Sequence, residues 1–179
     1  METKSKNQKE TAPQMENRKF REFFVDQLKD IYWAEQALYK ALPKMMKAAT
    51  SKKLASAFEK HTKETEGQIR MLEQVFELMG EKAKAKKCEA MDGLIKEAEA
   101  IIEDTDKDSY TRDAGLVLAG QKTEHYEIAS YGTLVEFAKQ MGETKVAELL
   151  QKILDQEKNT DISLTMVAEG QVNEEAVKE

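Results

Sequence analysis

Seven side chains of metal-ligand type fall at or beside positions where an apolar residue would be expected: Glu35, His61, Glu64, Glu124, Glu127, Glu157 and Asp161. Six of the seven are carboxylates, and oxygen-rich donor sets suit Mn, Fe, Mg or Ca. Gathering such acids inside a protein is unfavourable, because two ionised carboxylates about 4 Å apart repel by roughly 4 kcal/mol even at an effective dielectric of 20. Either some acids keep their protons, with raised pKa values, or a di- or trivalent cation sits between them. The spacing leaves both open.

The elements that must position these groups are four long amphipathic helices. Phe24, Leu28, Ile31, Leu38, Leu42 and Met45 recur in alternating steps of four and three, with Glu35 filling the vacant central step. The second seam runs Leu54, Ala57, His61, Glu64, Gln68, Met71, Val75, Leu78, after a Thr50-Ser51 N-cap and before Gly80. The third runs Val117, Gly120, Glu124, Glu127, Tyr131, Leu134, Ala138, Met141 and stops at Gly142. The fourth runs Val146, Leu150, Ile153, Glu157, Thr160 or Asp161, Leu164, Val167. Pro43 lies inside the first helix and should kink it or loosen its last turn.

Hairpin arithmetic gives the heights of the acids, because residues equally far from an antiparallel turn sit level. The midpoint of Glu35 and Glu64 falls on Ala49-Thr50, and that of Glu124 and Glu157 beside Met141-Gly142. Within each hairpin the central acids therefore share a level to within about one turn, roughly 5.4 Å. Between the hairpins, Met91, Leu94, Ile95, Ala98, Ile101 and Ile102 mark a short crossover helix. The fold class is all-α: a four-helix bundle with one long crossover between its second and third helices.

Composition agrees. The 179-residue chain is 35% charged and 40% apolar, with only two Pro and eight Gly, so one helical domain is expected. It divides into a polar N-terminal arm (1–17), the bundle (18–169) and a polar C-terminal tail (170–179). The net charge of −6, with both signs interspersed, argues against a nucleic-acid partner. No apolar run approaches the roughly 18 residues of a membrane span, and the first 17 residues lack a secretory apolar stretch, so no membrane partner and a cytoplasmic location are expected. The single cysteine, Cys88, excludes an internal disulfide and a thiolate-ligated iron centre.

With these residues in hand, the chain resembles the ferritin-like superfamily and, within it, the YciE/YciF family of bacterial stress-associated proteins. The likeness is carried by Asp30-Ile-Tyr-Trp-Ala-Glu35, Phe58-Glu-Lys-His61 with Glu64-Thr65, Arg70-Met-Leu-Glu73, the stretch Lys122 to Gly132, and Asp155 to Asp161. A ferritin-like di-metal site takes a Glu from each of two helices and a Glu with a nearby His from each of the other two. The resemblance implies a di-iron or di-manganese centre, with Glu35, Glu64, Glu124, Glu127 and Glu157 as ligands, in a stress-linked homodimer. The two expected histidines are replaced by Gly67, three past Glu64, and Asp161, four past Glu157. Asp161 offers oxygen instead. His61, three before Glu64 on the same face, either restores the imidazole in reversed order or is a hydrogen-bonded core residue. His125 is about 100° off the seam, Gln68 is read as a hydrogen-bond acceptor, and Tyr131 as a core aromatic with a bonded hydroxyl.

Two functions follow. One is a di-metal stress protein with a redox or peroxide-protective role; the other is a non-catalytic helical interaction protein with a vestigial site. A subunit of a hollow iron-storage shell is a third reading. Whether the chain turns over a substrate is left open.

Overall fold

The first, third and fourth seams read from the sequence become inner faces of helices in the computed structural model, which describes residues 18–179. The helices are α1 (Arg18–Ala48), α2 (Lys52–Leu78), α3 (Glu89–Asp104), α4 (Tyr110–Gln140), α5 (Thr144–Val167) and a short α6 (Asn173–Ala176). The N-terminal arm assigned to residues 1–17 lies outside the described residues. No helix among the described residues is long and apolar enough to cross a membrane.

Two hairpins, α1–α2 and α4–α5, pack together so that α2 faces α5 and α1 faces α4. The crossover helix α3 lies against α1 and α4. This is the four-helix bundle with one long crossover expected from the sequence. Its core is closed above and below the acids by Phe24, Leu28, Leu42, Leu54, Phe58, Leu72, Phe76, Leu116, Leu150 and Leu164, all buried.

The helix ends follow local chemistry. Ser51 Oγ accepts from Leu54 N at 3.4 Å and starts α2. Gly80 ends α2 in the left-handed region at φ +67°, where Glu81 N donates to Phe76 O and Gly80 N to Glu77 O, both at 2.9 Å. Gly142 repeats this at the end of α4, at φ +74°. The α1 helix runs unbroken through Pro43 to Ala48.

One expectation needs correction: α2 is rotated from the seam read in the sequence, its buried face being Leu54, Phe58, His61, Thr65, Gln68, Leu72, Val75 and Phe76, whereas Leu78 is 45% exposed. The sequence offers two interleaved apolar stripes here, and the larger aromatic one wins, with Phe76 edge-on to Tyr32 at a centroid distance of 5.5 Å. Residues 170–179, read from the sequence as a polar C-terminal tail, carry structure of their own. A π-turn over Ala168–Val172 buries Val172 and leads into α6, and the Glu179 carboxylate accepts from Tyr110 N at 2.7 Å and Thr111 N at 2.9 Å. That carboxylate meets the exposed N–H groups at the start of α4, where negative charge is favoured.

Candidate metal centre

His61 from α2, Glu124 and Glu127 from α4, and Glu157 from α5 converge at mid-bundle, each buried and each offering one donor atom within 4.8 Å of the others. His61 Nε2 and Glu124 Oε1 approach to 3.1 Å, yet neither ring nitrogen of His61 makes an aligned hydrogen bond. Two ligands of one cation at bond lengths of about 2.1 Å stand about 3 Å apart when at right angles. Their approach is therefore that of two donors aimed at a shared point.

Glu35 enters from α1, fully buried, with one carboxylate oxygen accepting from the Tyr131 hydroxyl. Across the core, Gln68 Nε2 donates to Glu157 Oε1. The remaining oxygens have no donor: Oε2 of Glu35, of Glu124 and of Glu157, and both oxygens of Glu127. Buried polar atoms almost always find a partner, and each one left bare costs about 1–3 kcal/mol. Nine such atoms, all from Glu35, His61, Glu64, Gln68, Glu124, Glu127 and Glu157, are concentrated around this one region. The donor chemistry and the bare atoms both fit a Fe(II)- or Mn(II)-sized cation.

Electrostatics point the same way. Burial, followed by repulsion from Glu157, pushes the Glu35 carboxyl up to about 8. Glu124 is pushed up to about 8, chiefly by burial. Glu127 and Glu157 are raised well above the ordinary carboxyl range, again first by burial, and then by neighbouring carboxylates. Without a cation these acids keep their protons; with one, the charge they resist becomes the charge that binds.

The seven residues singled out from the sequence do not all meet. Glu64 lies at the edge of α2, its side chain 23% exposed and its Oε1 3.3 Å from Lys60 Nζ, because the rotation of α2 brings Thr65 inward in its place. Asp161 is 22% exposed and turns to Gln121 Nε2, at 3.3 Å, and to His125 Nε2, at 3.4 Å. Both still contribute repulsion at Glu124, so they border the site without joining the compact group. His125 is 71% exposed, and Tyr131 is a core aromatic with a bonded hydroxyl, both as read from the sequence. Gln68 differs, since it donates where an acceptor was expected.

Sequence reading passed over a second layer. Tyr126, one residue before Glu127, donates to Asp30 Oδ2 at 3.0 Å and lies 3.0 Å from Cys88 Sγ, tying α4 to α1 and to the start of α3. The only available signal was the Tyr-Glu pair itself, which does not reveal partners so distant in sequence.

Comparisons with known proteins give the family and agree on the fold. A family model described as a domain of unknown function (DUF892) matches residues 19–177. Protein YciF of Escherichia coli K12 is 49% identical over 154 residues, covering 86% of this chain and 92% of YciF. The crystal structure described as that of the E. coli stress protein YciF superposes with a TM-score of 0.81, covering 85% of this chain and 96% of that one. A protein of Xanthomonas campestris, 26% identical, superposes with a TM-score of 0.71 over 88% of this chain and 97% of its own. Sequence and backbone coincide over the same helical body, and the chain belongs to the DUF892 family, which its likeness to YciF places among the YciF-like proteins.

Proposed function

We propose that the chain is a metal-binding stress-response protein of the YciF type, holding a pair of divalent cations, Fe(II) or Mn(II), with a redox, peroxide-protective role. The observation that carries this is the mutual approach of His61, Glu124, Glu127 and Glu157 within 4.8 Å, all buried. Charge supports the pair: the four buried carboxylates of Glu35, Glu124, Glu127 and Glu157, once ionised, balance two divalent cations. Such cations supply open coordination positions and two electrons for reduction of a peroxide. The chain's own part is to present three helices' worth of donors at one level, add one imidazole, and exclude bulk water with the apolar layers above and below. The stress connection rests on the likeness to YciF of E. coli, a stress protein. Pairing of two copies is part of the same proposal, and a sedimentation measurement giving a dimer supports it against a hollow storage shell.

A non-catalytic interaction protein with a vestigial site is favoured by one observation, the engagement of Glu64 Oε1 with Lys60 and of Asp161 with Gln121 and His125 at two positions where ferritin-like sites gather ligands. Metal analysis separates the two. Protein purified without chelators should carry Fe or Mn, and adding Mn(II) to stripped protein should raise its melting temperature by several degrees, since a ligand that binds only the folded state stabilises it. Metal-free protein whose melting ignores both Fe(II) and Mn(II) would leave the interaction reading standing.

A further inference from the structure

Two buried donors reach the acid cluster from opposite hairpins. Tyr131, on α4 of the second hairpin, donates to Glu35 on α1 of the first. Gln68, on α2 of the first hairpin, donates to Glu157 on α5 of the second. All four side chains are completely buried. Each donor occupies Oε1 of its carboxylate and leaves Oε2 bare, while Glu127 between them has both oxygens bare.

We propose that Tyr131 and Gln68 are a reciprocal pair of positioning residues, each fixing one terminal carboxylate ligand of a different cation. A carboxylate free to rotate offers a cation either oxygen or both; one held by a donor offers a single oxygen in a set direction. Glu35 and Glu157 would therefore each present a single free oxygen, while Glu127, which no donor restrains, keeps both of its oxygens free. The reciprocity also ties the hairpins together, since each hairpin supplies the donor that orders the other's ligand. Gln68 is fixed in turn by Gln156 Oε1, at 3.2 Å, which leaves its amide little freedom to turn away.

This inference rests on the proposed metal pair, and Mn(II) titration of the full chain tests the two separately. Wild-type protein should bind two Mn(II) per chain, read by calorimetry, and show the electron paramagnetic resonance signal of a spin-coupled pair. Tyr131→Phe retains the ring in the core. It should weaken one of the two cations roughly 10–100-fold, as loss of a group that orients a ligand does, and leave the other within about threefold of wild type. Gln68→Met should weaken one cation to the same extent, and the double variant both. In each single variant the coupled signal should give way to that of isolated Mn(II), a change that general loosening of the core does not produce. Glu35→Gln, a second route to the same site, should lose the cation that Tyr131→Phe loses. A wild type that takes up fewer than two Mn(II) overturns the metal pair itself and this inference with it. A two-cation wild type whose single variants keep both at full affinity, or lose both together, overturns only the roles given to Tyr131 and Gln68.

Discussion

At the scale of single residues, the question is what a buried acid costs before any cation arrives. Glu157 is fully buried, and its carboxyl is raised well above the ordinary range, first by burial and then by Glu124. A carboxyl whose folded pKa lies above its unfolded one destabilises the protein as pH rises past the unfolded value, because unfolding then frees it to ionise in water. Glu157→Gln removes that penalty and keeps an oxygen for Gln68 to donate to. The metal-free variant should melt at least about 3 °C higher than wild type at pH 8, taking 1 kcal/mol as about 2–4 °C for a chain of this size. The gain should shrink near pH 5. The same substitution should diminish the rise in melting temperature that Mn(II) gives, and differential scanning calorimetry with and without Mn(II) reads both effects.

At the scale of elements, the heights of the acids depend on turns that do not slip. The α1–α2 turn is held from outside its own hairpin: Asp113, buried on α4, accepts from Thr50 N at 2.8 Å and Ser51 N at 2.6 Å. Hydrogen bonds to a charged group contribute about 1.5–3 kcal/mol each, and two backbone donors would be left bare without them. Asp113→Ala should lower the urea unfolding free energy by about 3 kcal/mol, while Asp113→Asn, which keeps one acceptor, should cost less. Asp113 lies at the turn and not in the acid cluster, so a change in Mn(II) affinity in Asp113→Asn would show that the turn transmits to the site. Sequence reading found the turn and its Ser51 cap. It did not find Asp113, because the partner lies 62 residues away from Ser51 and nothing local marks it.

At the scale of the whole molecule, the bundle is a balance between an apolar frame and a charged centre. Glu35, Glu124, Glu127 and Glu157 all hold protons more tightly folded than unfolded. Folding therefore takes up protons as pH rises from the usual carboxyl range to about 8, the value to which Glu35 and Glu124 are pushed. The sign is that stability of the metal-free protein falls across that window. Saturating Mn(II) should flatten or reverse the slope, since cation binding favours the ionised acids and is itself weakened by protons. Thermal unfolding at about pH 5.5 and pH 8, with and without Mn(II), checks this; a metal-free protein equally stable at both would contradict the assigned protonation.

The sequence by itself determined the four helices, their order and the long crossover. These follow from a fixed rise of about 1.5 Å per residue and a repeat near 3.6, both written into the spacing of Phe24 to Met45 and of its three counterparts. What the tertiary structure decided is azimuth. On α2, neighbouring stripes differ by one residue, about 100°, and only the packing of Phe58, Leu72 and Phe76 chooses between them. His61 lies on both stripes and stays central, while that choice buries Thr65 and leaves Glu64 at the rim; the packing of α5 on α4 likewise turns Asp161 toward Gln121. The hydrogen bonds from Tyr131 to Glu35 and from Gln68 to Glu157 span 96 and 89 residues, so they exist only once the two hairpins have docked.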